Sequence, residues 1–361
     1  MNARRITRKI KVGNVEIGGG APVSIQSMTN TDTRDAAATL RQINTLAAAG
    51  CEIIRCAVPD DAAAEALREI CASSPIPVIA DIHFDYRLAL KSIESGVAGV
   101  RINPGNIGEP WKVKMVAEAA GNAAVPIRIG ANSGSISPKL RDSLPPGEEG
   151  VLEGLVCSAV EQCEMLESYG FKDIKVSLKA SSVPVTVEAC RRFSQRSDYP
   201  LHLGVTEAGT PERGIIKSAA GIGCLLLEGI GDTIRVSLTA DPVKEVYAAQ
   251  KILESIGLRD SAPDIVSCPT CGRTEIDLIA LAETVERYIA QCKAAGKRFD
   301  LKKIAVMGCV VNGPGEAHDA ALGIAGGKNR VIVFRYGKVI ANLPESEGWA
   351  FFQQELDKHL I

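Results

Sequence analysis

Three cysteines and one carboxylate have the types and spacing to do chemistry together. Cys268 and Cys271 are separated by two residues, Cys309 follows after thirty-seven more, and Glu316 after a further six. A zinc ribbon would need a second close cysteine pair, and haem attachment would need a His where Gly272 stands. A thioredoxin-type redox pair stays open, because a helical pattern follows the motif. Both cysteine segments adjoin Gly/Pro turns, Cys268-Pro269-Thr270-Cys271 and Asn312-Gly313-Pro314-Gly315. That placement suits thiolates converging on an inorganic cluster. A cubane of iron and sulfide takes four ligands, normally cysteines. Three thiolates leave one position, which a carboxylate after the Gly-Pro-Gly turn could fill as a harder, more exchangeable donor. The plainer reading of Glu316 is an acid in the first turn of a short helix, and spacing alone does not separate the two.

A second set is cationic. Five apolar runs contain a basic residue sandwiched between apolar neighbours: Arg55, Arg101, Arg128, Lys179 and Arg235. Taking a guanidinium out of water is costly without a partner, so one such Arg reads as a structural ion pair. Five on separate runs imply a pocket for an anion, and the bidentate fork of Arg suits phosphate oxygens. A small substrate with two or more phosphates is expected. Asn132 and Ser237 lie close behind two of these cations, and Asp81, His83 and Glu207 offer acids and a base beside them. Each also has a bland reading as a strand-end polar group. No P-loop and no Gly-x-Gly-x-x-Gly after a strand is present, so a nucleoside triphosphate or dinucleotide is not favoured.

The elements that must position these residues repeat a single unit. Eight apolar runs, at residues 22–29, 51–58, 77–84, 99–105, 126–132, 173–180, 201–209 and 233–240, alternate with helical patterns. Continuous hydrophobicity fits parallel strands covered on both faces. Gly50, Gly96, Gly170 and Gly257 stand where helices should end, and Pro242 where one should begin. Eight strand–helix units in about 240 residues are the arithmetic of a (β/α)8 TIM barrel, whose functional groups gather at the C-terminal mouth. Ile10, Val12, Val15 and Ile17 around Gly13-Asn14 predict a hairpin that closes the other end. The pattern changes after Leu258. Two domains are expected, a substrate-binding barrel over residues 1–258 and a small α/β cluster domain over 259–361. The second should hold a long helix through Ile276, Ile279, Val285, Ile289 and Cys292, a strand over residues 303–311, a strand pair turning near Tyr336-Gly337, and a last helix from about Glu345.

Composition limits the alternatives. The 361 residues carry 41 Lys and Arg against 43 Asp and Glu, a net charge of −2, so no bulk field draws in nucleic acid or an anionic membrane. Aromatics at 4% argue against a stacking platform for single strands. The longest stretch without Asp, Glu, Lys or Arg, residues 17–31, is too short and too polar to span a bilayer. Arg4, Arg5, Arg8 and Lys9 are not followed by an apolar core, so no secretory signal is expected and the chain reads as cytoplasmic. Most of the eleven cysteines should then be small buried hydrophobes rather than disulfides.

The motifs CPTCGR at residues 268–273 and GCVVNGPGE at 308–316 resemble the 4-hydroxy-3-methylbut-2-enyl diphosphate synthase family of the methylerythritol phosphate route to isoprenoids. SIQSMTNTDT, RCAVPD, ADIHFDY, RINPGNIG and LGVTEAG extend the resemblance through the barrel, in the short, two-domain form. The resemblance implies a 4Fe-4S cluster on Cys268, Cys271 and Cys309 with Glu316 as a displaceable fourth ligand. It implies that Arg55, Arg101, Arg128, Lys179 and Arg235, helped by Asn132 and Ser237, grip a cyclic diphosphate. Reductive ring opening would use two electrons from reduced ferredoxin or flavodoxin, with Glu316 as the ligand that yields to substrate; Glu207, Asp81 and His83 are the proton-transfer candidates that the residue pattern itself offers. The resemblance also implies a homodimer, with one subunit's cluster domain over its partner's barrel. Two rival readings stand beside it: a Schiff-base sugar-phosphate aldolase working through Lys179, and a non-catalytic iron–sulfur scaffold or sensor.

Overall fold

The computed structural model describes residues 3–132, 136, 138–259 and 263–361. The chain divides into two compact units, Met1–Arg259 and Asp260–Ile361.

A short hairpin, β1 (Ile10–Val12) and β2 (Val15–Ile17), opens the first unit. Eight parallel strands follow: β3 (Ser24–Met28), β4 (Ile53–Ala57), β5 (Val78–Asp81), β6 (Gly99–Ile102), β7 (Ile127–Asn132), β8 (Ile174–Lys179), β9 (His202–Leu203) and β10 (Thr233–Ile234). They pair in the order β8-β7-β6-β5-β4-β3-β10-β9. A parallel bridge between Val176 and Leu201 joins the two ends, which closes the barrel. All eight apolar runs are strands at the expected places. Gly50, Gly96, Gly170 and Gly257 all take left-handed backbone just past a helix. At Gly50 the amide donates to the Ala47 carbonyl and the next amide, of Cys51, donates to Leu46, the paired bonds of a Schellman cap.

Alternation along each strand sorts side chains between two environments. Ile127, Ile129, Ile174, Val176, Leu178, Leu201 and Leu203 join the apolar layer under the helices. Arg128, Lys175, Ser177, Lys179 and His202 therefore face into the barrel. The hairpin sits under this interior: Ile10, Val12 and Ile17 pack on Ile53 and Ile79. Gly13, at φ 59°, is forced by that contact, since a Cβ there would meet Pro77 at 2.9 Å.

The second unit is a five-stranded sheet in the order β11 (Asp264–Ser267), β12 (Lys303–Met307), β13 (Leu322–Gly327), β14 (Arg330–Arg335), β15 (Lys338–Pro344). β11, β12 and β13 are parallel, while β14 and β15 run antiparallel. The helices Leu278–Ala294 and Glu345–Asp357 share one apolar core with the sheet. Three details depart from expectation. The strand expected over 303–311 ends at Met307, because the chain turns through a wide helical loop at Val311–Glu316 that contains Pro314. Ile279 is exposed rather than part of the helix's apolar stripe, and Ile276 precedes the helix. β11 and β13 have no counterpart in the sequence reading: β11 is short and half exposed, and the glycines of Leu322–Gly327 mask its pattern.

Candidate functional site

Strand register lines up the cations. Asp81 on β5 pairs with Arg101 on β6, Arg101 with Arg128 on β7, and Arg128 with Lys175 on β8. Asp81 is the buried counter-charge. Its carboxylate lies 3.2 Å from Arg101 Nη1, 3.7 Å from Arg55 Nε and 3.4 Å from His83 Nε2. His83 Nε2 is also 3.2 Å from Arg101 Nη1. Burial alone would raise the Asp81 carboxyl, but the charges of Arg55, Arg101 and Arg128 and the contact with His83 outweigh it and hold Asp81 well below the usual carboxylate range. An acid held that firmly ionised anchors two guanidiniums and is poorly suited to donate a proton.

One carboxylate does not neutralise this many cations. Burial, together with Arg235 and Arg101, pushes the Arg55 guanidinium down to about 10 against the pull of Asp81. Burial first, then the charges of Arg55 and Arg101, drives Arg128 well below its ordinary value, and burial and Arg128 do the same to Lys179. A guanidinium stays protonated at neutral pH, so at Arg128 the conflict persists as repulsion that an entering anion would relieve. Among the described residues, Arg128 Nε and Nη1 and the Nε atoms of Arg55, Arg101 and Arg235 have no hydrogen-bond partner and are buried.

Two glycines make room for the long side chains. A Cβ on Gly130 would stand 2.7 Å from Arg101 Nε, and one on Gly204 would stand 2.6 Å from Lys179 Nζ. On the far side, Glu245 from the helix Pro242–Ser255 reaches Arg235 at 3.5 Å while accepting from the Ser27 hydroxyl and the Leu238 amide. Met28 Sδ lies between Arg55 (2.8 Å) and Arg235 (3.7 Å). Asn132 pairs in register with Lys179, and Ser237 is half-buried past β10. Glu207 is exposed in the loop after β9, at φ 53°, a strained conformation for a residue with a Cβ. The Asp81 cluster does not include it.

Sequence reasoning missed Lys175, Glu245, Met28 and the two glycines. Lys175 was within reach, since it shares an alternation with Lys179. Glu245 was not, because it arrives from a helix.

In the second unit the cysteines stand at the carboxyl ends of parallel strands. Cys268 follows β11 and Cys309 lies two residues beyond β12. Cys268 Sγ accepts the Gly308 amide at 3.2 Å. The Glu275 amide donates to the Gly308 carbonyl, and the Thr274 hydroxyl oxygen accepts the Cys271 amide. These bonds knit the two motifs into one rim. Cys271 is exposed, and the Arg273 amide and guanidinium hold its thiol below the ordinary range. Glu316 closes the helical loop that begins just after Cys309, whose carbonyl accepts from Gly313. Among the described residues, no three His, Cys, Asp or Glu side chains converge on one metal ion. A cubane does not ask for that, because each ligand takes its own iron. The Gly308 amide brings Cys268 and the Cys309 segment together, with Cys271 and Glu316 in the adjoining loops; three soft donors, one hard donor and a backbone N–H aimed at one sulfur are the donor types such a group takes.

The barrel's own cysteines are different. Burial pushes Cys51, Cys71, Cys163 and Cys190 up to about 12 and Cys56 to about 11, which makes them inert apolar filler.

Fold and site together define a (β/α)8-barrel protein with a cluster of buried cations inside the barrel and a cysteine-bearing α/β unit following it in the chain. The chain belongs to the GcpE family: residues 7–250 match the GcpE TIM-barrel domain and residues 264–358 the GcpE protein C-terminal domain. A protein of Geobacter sulfurreducens named 4-hydroxy-3-methylbut-2-en-1-yl diphosphate synthase (flavodoxin) is 58% identical over 341 residues, covering 94% of each chain. Proteins of the same name from Lawsonia intracellularis (56%; 95% of this chain, 93% of that one) and Clostridium perfringens (54%; 95% and 96%) are similarly close. Among solved structures, dihydropteroate synthases from Yersinia pestis and Vibrio fischeri superpose with TM-scores of 0.51. At 13% and 14% identity they cover 68% and 69% of this chain and 97% and 98% of their own, and they show the barrel fold alone. Family membership across both units does not favour the aldolase reading, although a buried Lys179 amine would suit imine chemistry by itself.

Proposed function

We propose that this chain converts 2-C-methyl-D-erythritol 2,4-cyclodiphosphate to 4-hydroxy-3-methylbut-2-enyl diphosphate. Two electrons and a proton enter, the ring C–O bond to the diphosphate breaks, and a hydroxyl leaves as water. The observation that carries the reading is the excess of buried cations in the barrel, inside a family whose relatives are named for a diphosphate product. Arg55, Arg101, Arg128, Lys179 and Arg235 take the two phosphates, with Asn132 and Ser237 completing the grip. Asp81 orients Arg55 and Arg101 and stays ionised. His83, against both Asp81 and Arg101, and Glu207, on its strained loop, are the residues assigned to move a proton to the leaving hydroxyl.

Cys268, Cys271, Cys309 and Glu316 would hold a 4Fe-4S cluster. When bound, that group supplies electrons one at a time from a carrier, reduced flavodoxin as in the relatives' name or ferredoxin. The working form is a homodimer, with the cysteine-bearing unit of one copy serving its partner's barrel. No helix among the described residues is long and apolar enough to cross a membrane, in keeping with a cytoplasmic enzyme. Anaerobic reconstitution with iron and sulfide, followed by turnover of the cyclodiphosphate with a one-electron reductant, tests the whole reading. Diphosphate product and a broad absorbance near ~400 nm are expected. A colourless, iron-free protein, or a loaded one that leaves the cyclodiphosphate intact, would refute it.

A further inference from the structure

The floor of the barrel holds a cation to which no role has been given. Lys175 is 2% exposed, and its Nζ has no hydrogen-bond partner. It faces inward, beside Arg128 in the strand register. The barrel's buried carboxylates are all engaged elsewhere. Asp81 holds Arg55, Arg101 and His83. Asp232 accepts the Leu201 amide and the Thr7 hydroxyl and faces Arg4. Glu245 holds Arg235, Ser27 and the Leu238 amide.

Other polar groups on the inner faces of the strands are equally unfilled among the described residues. His202 on β9 is fully buried; its Nδ1 meets the Thr233 hydroxyl at 2.6 Å and its Nε2 meets nothing. Both side-chain atoms of Gln26 and the hydroxyl of Ser24, on β3, are buried without partners. The charged groups that act on Lys175 are Arg128 from β7, Arg55 from β4, and Asp232 ahead of β10. His202 acts from β9 and is itself held neutral, first by burial and then by Lys179, Arg128 and Lys175. A barrel interior of this kind is ordinarily packed with branched apolar side chains. An amine here faces two guanidiniums and one distant, occupied carboxylate. Burial, then Arg128, brings it down to about 7.

We propose that Lys175 is the innermost member of the anion cup, and that it takes up a proton from solvent as the diphosphate enters. The inference rests on the cyclodiphosphate reading above. The incoming phosphates supply the negative charge that Lys175 lacks in the free protein, so the ammonium form, about half populated in the free protein at pH 7, becomes dominant in the complex. Both phosphates of the cyclic substrate are diesters or anhydrides without an acidic group near neutrality, so the proton comes to the protein, not to the ligand.

Titration calorimetry of the full chain with 2-C-methyl-D-erythritol 2,4-cyclodiphosphate, in buffers of different ionisation enthalpy near neutral pH, reads this directly. At pH 7, where about half of the free protein already carries the Lys175 proton, the wild type should take up about half a proton per site, rising toward one at higher pH. Lys175→Met should bind about 10-fold more weakly and take up much less, a loss of one charge-assisted contact. Its ligand-free melting temperature should not fall, since a buried amine without a hydrogen-bond partner has been removed. Arg128→Met is the control for the cup. If Lys175→Met keeps wild-type affinity and proton uptake while Arg128→Met loses binding, the proposal fails and the cup survives. If Arg128→Met also binds normally, the cup reading fails and the proposal with it. Should Lys175→Met not fold, Lys175→Gln decides by the same two numbers.

Discussion

The cup and the cysteine rim are built on opposite principles. The cup is buried and overfilled with charge: Arg101, Arg128, Lys175 and Lys179 are each less than a tenth exposed, with too few acids among them. The rim is open and loosely tied, with Cys271 exposed and Cys268 half-buried. On the proposed function, the cup takes a polyanion that settles repulsion already present, and the rim takes a metal group that joins loops which backbone bonds only bring near one another. In that reading the fold imposes the cup's geometry and the bound group completes the rim's.

Four substitutions break or sharpen that contrast. Cys309→Ser should have the largest effect: iron content and absorbance near ~400 nm should fall to background, and turnover with them, while cyclodiphosphate affinity stays within about twofold. Loss of binding as well would show that the two regions are not independent. Gly130→Ala should do the reverse. Its new Cβ would press on the Arg101 guanidinium and displace it from Asp81, raising KM about 10-fold with iron content unchanged. An unmoved KM would mean that Arg101 is not held where it acts.

Glu245→Gln should raise KM by about 3- to 5-fold with little change in kcat, because Glu245 positions Arg235 and does not touch the reacting atoms. Glu245→Asp should recover part of the loss. Equal falls in kcat and KM effects would point to a structural role instead. Cys51→Ala should matter least: about 1 kcal/mol of stability from one deleted buried atom, with iron loading and turnover as in the wild type. A drop in iron would overturn the separation between inert and ligating thiols.

The pH dependence of stability follows from the same floor. Lys175 binds its proton less tightly folded than unfolded, so between about 7 and about 10 the unfolded chain carries more protons and the ligand-free protein gains stability as pH rises. Below about 7 both states are charged and that gain is gone. Denaturant midpoints of wild type and Lys175→Met across this range should converge as pH rises.

The barrel was legible because its signals repeat. Eight apolar runs and four cap glycines each say the same thing, and one misread unit would not change the count. The five enclosed cations were legible for a related reason, as charge where apolar neighbours forbid it. Lys175 sits in just such a run and was passed over because Lys179 had already claimed it. Glu245 could not be read at all. A glutamate in the first turn of a helix looks like a dipole partner, and only the close approach of that helix to Arg235 gives it another use. In the second unit, Leu322–Gly327 has three glycines in six residues, which hides a strand that tertiary pairing on both sides enforces.

The hairpin beneath the barrel has a kinetic meaning. Ile10, Val12 and Ile17 stopper the end away from the cations with hydrocarbon, so the interior is a blind well with its working entrance at the top. Lys175 lies beside Arg128 in the strand register, so on the proposed function what reaches it from the mouth does so among those guanidiniums. The same arginines would then sort what enters, admitting negative charge and holding back stray cations.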